Sequence, residues 1–221
     1  MPDDEDDISA EYSSPACMLH EINPAYAGLA PPPPSEGVAA WRRARREELI
    51  AARLAIPAET RAGHGKAIAA ALDRELGEIG GKTISLYWPF RGEPDLREWL
   101  GTATERGATC LLPIVVEKGK PLIFKPWKPG EKLDRGVWNI PIPAEGPEML
   151  PDIVISPVVG FDRSLYRLGY GGGFYDRTLA AHTGRPLVIG VGYSSQHIPT
   201  IHPQRHDIPM KRIITEKGLW R

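Results

Sequence analysis

Between Arg167 and Arg177 the chain reads RLGYGGGFYDR, with glycine at 169, 171, 172 and 173. Residues without a Cβ let successive backbone N–H groups converge on one point, and such a nest attracts anions. A helix predicted to begin near Phe174 adds the positive end of its dipole, which makes phosphate the natural ligand. The segment is not a Walker A loop, because no Gly-Lys-Ser/Thr follows, and Phe174 breaks the dinucleotide fingerprint at its sixth position. Asp176, directly beyond the glycines, is a carboxylate suited to holding Mg²⁺ against phosphate oxygens.

A second group of charges lies far upstream. Arg42, Arg46, Leu49 and Arg53 fall at i, i+4, i+7 and i+11 of a segment that favours helix, so they share one face. That face is either a cationic surface for an anion or a solvated stripe supported by Glu47 and Glu48. His197, His202 and His206 sit in a proline-broken stretch, where their spacing suits solvated or capping roles better than zinc. Cys17 and Cys110 lack CxxC spacing and predict neither a disulfide framework nor a thiolate metal site.

The elements that must carry these groups are legible in outline. Residues 1 to 40 hold eight acids and no Lys or Arg, so the remaining 27 bases face 20 acids and leave the body at +7. A basic body suits an anionic small molecule; the absence of zinc-finger spacing or an aromatic RNP pattern argues against nucleic acid. No apolar run approaches the length of a membrane span and the N-terminus is acidic, which predicts a soluble, cytoplasmic protein. Residues 1–35, acidic and then proline-rich, read as a tail, with two alternatives: CMLHEINPAYAG docks on the body as a short strap, or the acidic end folds back on the Arg-rich helix. Helices are predicted from Val38 to Leu54 and from about Ala58 to Ile79. Strand, helix and strand then alternate through TISLYWPF, PDLREWLGTATER and GATCLLPIVV, and PLIFKPW adds a strand. PDIVISPVVGF and PLVIGVGY are apolar enough for central strands covered on both faces, and KRIITEKG closes the chain with a short one. One α/β domain over residues 36–221 is expected.

RLGYGGGFYDRTL, together with RGEPD, GVWNIPIP and PDIVISPVVGFD before it and RHDIPM after it, in the expected order, resembles the 5-formyltetrahydrofolate cyclo-ligase, or methenyltetrahydrofolate synthetase, family from about Trp41 onward. The resemblance implies a three-layer α/β/α sandwich with a mainly parallel sheet, related to sugar-phosphate isomerase and CoA-transferase folds. It implies ATP- and Mg²⁺-dependent conversion of 5-formyltetrahydrofolate to 5,10-methenyltetrahydrofolate, with release of ADP and phosphate. Carried over by position, Arg42 and Arg46 meet the ATP phosphates, with Arg at the first position where Lys is usual. Arg167, Leu168, Gly169, Tyr170 and Gly171 form the nucleotide loop with Gly172, Gly173, Phe174 and Tyr175. Asp176 and Asp207 match magnesium-associated carboxylates, and Glu93 matches the acid at the formyl end of the folate. Glu93, Arg167 and Tyr175 are the expected catalytic residues. Trp88, Trp127, Trp138, Phe174 and Tyr175 offer surfaces for the pteridine. Pro94 after Glu93 replaces a common aliphatic residue. The expected partners are ATP and a reduced folate, with or without a polyglutamate tail, bound by a monomer without nucleic acid or membrane. The competing readings are an ATP-dependent paralogue with another substrate and a non-catalytic folate- or nucleotide-binding protein.

Overall fold

The computed structural model describes residue 34 and residues 36–220. The proposed tail and its CMLHEINPAYAG strap lie outside the described residues. Two helices come first, α1 (Val38–Ala55) and α2 (Ala58–Leu76), separated at Pro57, whose missing N–H and fixed φ suit a helix start. The second ends three residues before the predicted Ile79, because Gly77 adopts φ 59°, which turns the chain out of the helix. Then follow β1 (Thr83–Ser85), α3 (Arg97–Glu105), β2 (Thr109–Ile114) and β3 (Ile123–Pro126). A hairpin of β4 (Leu133–Arg135) and β5 (Pro141–Pro143) carries GVWNIPIP, and β6 (Ile153–Pro157) returns to the core. A second small hairpin, β7 (Gly160–Phe161) with β8 (Arg167–Leu168), leads to α4 (Phe174–Ala181). The chain finishes with β9 (Leu187–Val191), β10 (Arg212–Thr215) and β11 (Gly218–Leu219).

Seven strands form one sheet in the order β11-β10-β9-β6-β1-β2-β3. The five inner strands run parallel, while β3 and β11 close the edges antiparallel. Both faces are covered, as near-continuous apolar strands require. Ile155 of β6 packs with Leu72 of α2 and Leu100 of α3, whereas its neighbour Val154 belongs to the cluster on the other face, where Leu179 of α4 packs. The result is the expected three-layer sandwich. Among the described residues no helix is long and apolar enough to cross a membrane.

The order of connections decides where a ligand can bind. From β1 the chain leaves through α3 to β2 on one side, and from β6 it leaves through α4 to β9 on the other. Adjacent parallel strands whose crossovers diverge open a crevice at their carboxyl ends. Glu93 follows the end of β1, and the glycine loop follows the end of β6 by way of the β7/β8 hairpin. PDIVISPVVGF is therefore one strand only as far as Pro157, beyond which the chain turns to make that hairpin. Gly160 lets α1 approach it, since a Cβ there would stand 2.7 Å from Leu49 Cδ1.

Candidate active site

One cleft lies at this crevice, and every predicted site residue except Gly172 lines it. Gly172 instead backs onto the Phe174 ring, which a Cβ would strike at 2.6 Å. The glycine loop needs its glycines for backbone reasons at Gly171 (φ 93°) and Gly173 (φ 64°), both left-handed. Gly171 also leaves room for Arg46, whose Cζ would be 3.3 Å from a Cβ at that position. Arg46 Nε donates to the Gly169 carbonyl at 2.7 Å, tying α1 to the loop. Burial and then the neighbouring Arg42 guanidinium hold the Arg46 pKa below its ordinary value, against the raising pull of Asp207.

Arg42 is almost wholly buried, which excludes the solvated-stripe reading of α1 at this position. Its Nε donates to the Ile201 carbonyl at 2.9 Å and its Nη2 to the His202 carbonyl at 2.9 Å and Asp207 Oδ2 at 2.5 Å. Arg53 on the same stripe is only 1% exposed. Arg167 donates to the Ile208 carbonyl at 3.1 Å and to Asp176 Oδ1 at 2.6 Å, and its guanidinium stands over the Tyr175 ring. Burial depresses the Arg167 pKa while Asp176 opposes the fall.

Glu93, which lines the same cleft, is 6% exposed. It accepts from the Phe90 amide at 3.0 Å and from the Tyr170 hydroxyl at 2.9 Å. Burial raises its pKa from 4.5 to about 7, against the lowering pull of Arg53 and those two hydrogen bonds. Its loop is held on both sides: the Tyr87 hydroxyl donates to the Pro94 carbonyl at 2.7 Å and the Tyr193 hydroxyl to the Gly92 carbonyl at 3.1 Å. Gly92 itself requires φ 76°.

The two aspartates differ in how much of each carboxylate is left for a metal. Asp176 uses Oδ1 for Arg167 and for the Ile208 amide at 3.0 Å, and its Oδ2 accepts no hydrogen bond from the described residues. Asp207 accepts from Arg42 with both oxygens and also from the Gln204 amide at 2.6 Å. Among the described residues no cluster of three or more His, Cys, Asp or Glu forms a metal cage. Of the two carboxylates, Asp176, with Oδ2 left over, is the one whose chemistry could take a hydrated Mg²⁺.

Of the aromatic candidates, Trp88, Trp138, Phe174 and Tyr175 line the cleft. Trp127 is core: it packs edge-on against Trp88 and its Nε1 donates to the Glu131 carbonyl at 3.1 Å. Phe90, absent from the sequence expectations, stacks parallel to Trp138 at 6.1 Å, and Tyr170 tilts against both. Three separated segments meet there, and no short-range pattern marks such a meeting. Of the three histidines 197, 202 and 206, His206 lines the cleft, whereas His197 is stacked on Trp220 and His202 meets the Trp41 ring edge-on.

The match to known proteins runs over the same residues. A model of the 5-formyltetrahydrofolate cyclo-ligase family fits residues 38–216. The 5-formyltetrahydrofolate cyclo-ligase of Mycolicibacterium smegmatis is 31% identical over 180 residues, spanning 78% of this chain and 92% of the relative. That of Haemophilus influenzae is 28% identical over 142 residues, spanning 60% and 75%. The solved 5,10-methenyltetrahydrofolate synthetase of Aquifex aeolicus superimposes with a TM-score of 0.70 at 28% identity, covering 81% of this chain and 92% of that one. The Mycoplasma pneumoniae synthetase shares the fold, with a TM-score of 0.65 at 24% identity over 79% and 98%. The chain belongs to the 5-formyltetrahydrofolate cyclo-ligase family.

Proposed function

We propose that this protein uses ATP and Mg²⁺ to close 5-formyltetrahydrofolate to 5,10-methenyltetrahydrofolate, releasing ADP and phosphate. The observation that carries this reading is one cleft lined by the glycine loop, by Arg42, Arg46 and Arg167, and by the buried carboxyl of Glu93. An anion site alone would serve a binding protein, and a buried acid alone would serve many enzymes. Their junction at one crevice suits phosphoryl transfer onto a neutral formyl oxygen.

In the sequence of steps this implies, the formyl oxygen attacks the γ-phosphorus and ADP leaves. N10 then adds to the activated formyl carbon and loses its proton, and the C–O bond breaks with its electron pair going to the departing phosphate, which takes up that proton and leaves the methenyl bridge. Arg42, Arg46, Arg167 and the loop amides offset the charge that spreads over the transferred phosphoryl oxygens. Asp176, with Asp207 beside Arg42, would hold Mg²⁺, which when bound neutralises phosphate charge and aligns the transfer. Glu93, whose pKa burial raises to about 7, in its ionised form stabilises positive charge developing at the N5 side of the folate. The aromatic wall of Phe90, Tyr170 and Trp138 suits a flat pterin ring.

Purified protein with ATP, Mg²⁺ and 5-formyltetrahydrofolate should develop methenyl absorbance and release phosphate in equal amounts. Phosphate release with another formylated or carboxylated compound, and none with 5-formyltetrahydrofolate, would keep the nucleotide half of the reading and replace its substrate.

A further inference from the structure

Arg53 is the most deeply buried charged side chain among the described residues, and the steps above leave it without a task. It projects from α1, whose earlier arginines serve the phosphate end. Its Nε donates to the Arg91 carbonyl at 2.9 Å, its Nη1 to the Val158 carbonyl at 3.2 Å and its Nη2 to the Tyr170 hydroxyl at 2.5 Å. The first of these oxygens is in the Glu93 loop, the second lies just past β6, and the third belongs to the glycine loop. Tyr170 has one proton to give. Having accepted from Arg53, it can donate to Glu93 Oε1 at 2.9 Å or to the Phe90 carbonyl at 3.4 Å, and the shorter contact to an acid wins.

We infer that the Tyr170 hydroxyl, fixed by the buried guanidinium of Arg53, is the positioning group for Glu93, so that the glycine loop sets the acid at the folate end as well as the phosphate site. The inference rests on the proposed cyclo-ligase reading and extends it: Tyr170 belongs by sequence to the nucleotide loop, but its side chain acts at the other end of the cleft. A hydrogen bond to the carboxylate and a guanidinium two atoms further on both favour the charged form of Glu93, the form needed beside a developing cation. The groups facing Glu93 come from every surrounding element: Arg53 on α1, Tyr87 beyond β1, Tyr170 in the loop, Tyr175 on α4 and Tyr193 beyond β9. Arg53 alone of these carries positive charge. Tyr87, Tyr170, Tyr175 and Tyr193 all have pKa values raised by burial, so they remain neutral across the range in which Glu93 titrates.

The test is a carbon NMR titration of the glutamate side-chain carboxyls in the full chain without substrates, with ATP affinity measured in parallel. Tyr170→Phe keeps the ring in the aromatic wall and removes only the hydroxyl. It should move the Glu93 titration upward by about one pH unit and leave ATP affinity within about twofold of wild type. The acid limb of kcat/KM for 5-formyltetrahydrofolate should move by the same amount, with KM for ATP unmoved. Arg53→Met should move the titration further than Tyr170→Phe does, and Arg53→Lys should restore part of the shift. If Arg53→Met does not fold, Tyr170→Phe decides the matter alone. An unchanged Glu93 titration in Tyr170→Phe overturns the inference, as does weakened ATP binding with the titration intact. Should wild type form no methenyl product, the substrate reading fails, yet the titration without substrate still decides the role of Tyr170.

Discussion

Replacing Glu93 with Gln changes one charge in a buried place, and its effect on stability can be worked out from the structure. The side chain is 6% exposed, and burial lifts its pKa from an ordinary 4.5 to about 7. Below pH 4.5 the carboxyl is protonated in both the folded and the unfolded chain and the charge costs nothing. Between these two values the unfolded chain has ionised and the folded one still binds the proton, so stability falls as pH rises. The fall ends once pH passes about 7 and the folded carboxyl is ionised too. At about 1.4 kcal/mol per pH unit the total is on the order of 3 kcal/mol. Glutamine keeps the shape and does not titrate. Glu93→Gln should therefore match wild type within about 1 kcal/mol at pH 5 and exceed it by about 2–3 kcal/mol at pH 8. Urea unfolding of both proteins at several pH values between 5 and 8 measures the difference directly. The same substitution should reduce kcat for 5-formyltetrahydrofolate while ATP binding without folate stays close to wild type. Parallel stability curves across that pH range would refute the burial argument, and an unchanged kcat would remove Glu93 from the chemistry.

Other substitutions separate the phosphate end of the cleft into its parts. Asp176→Asn should impair ATP turnover at limiting Mg²⁺ far more than folate binding, as read from turnover across a Mg²⁺ series; equal kinetics would sink the metal assignment. Asp162→Asn, by contrast, should cost stability, because Asp162 is 2% exposed and accepts from the Ser164, Tyr166 and Ile201 amides. Arg42→Met leaves Asp207 nearly buried without its partner and should cost about 3 kcal/mol in chemical denaturation. The double variant with Asp207→Asn should recover much of that loss, and simple additivity would show the pair to be uncoupled. Removing residues 1–35 should leave a folded protein, since every described element lies from Val38 onward. It should lower KM for ATP at low salt if the acidic residues compete for Arg42 and Arg46; an insoluble product would make CMLHEINPAYAG part of the fold.

What the sequence by itself determined is what local chemistry dictates. Four glycines among five residues need no tertiary information to read as an anion loop, because the lack of Cβ atoms is a property of each residue. The apolar continuity of IVIS and LVIGV likewise demands a sheet covered on both faces, and helical spacing alone put Arg42, Arg46 and Arg53 on one side of α1. Tertiary structure decided which way that side faces. The same i, i+4 pattern fits a solvated stripe, and only packing against the Ile201, His202, Val158 and Arg91 carbonyls distinguishes buried arginines from exposed ones. It also decided that Asp207 pairs with Arg42, 165 residues away in the chain, and that Asp176 turns back on Arg167 across the glycine loop, since ion pairing depends on through-space distance. Trp127 and Phe90 exchanged places for the same reason: an aromatic residue is core or cleft according to what lies opposite it, and that partner comes from another segment. The raised pKa of Glu93 is the extreme case. A carboxyl in RGEPD has an ordinary affinity for protons until α1, the glycine loop and the residues beyond β1 and β9 close around it and take away its water.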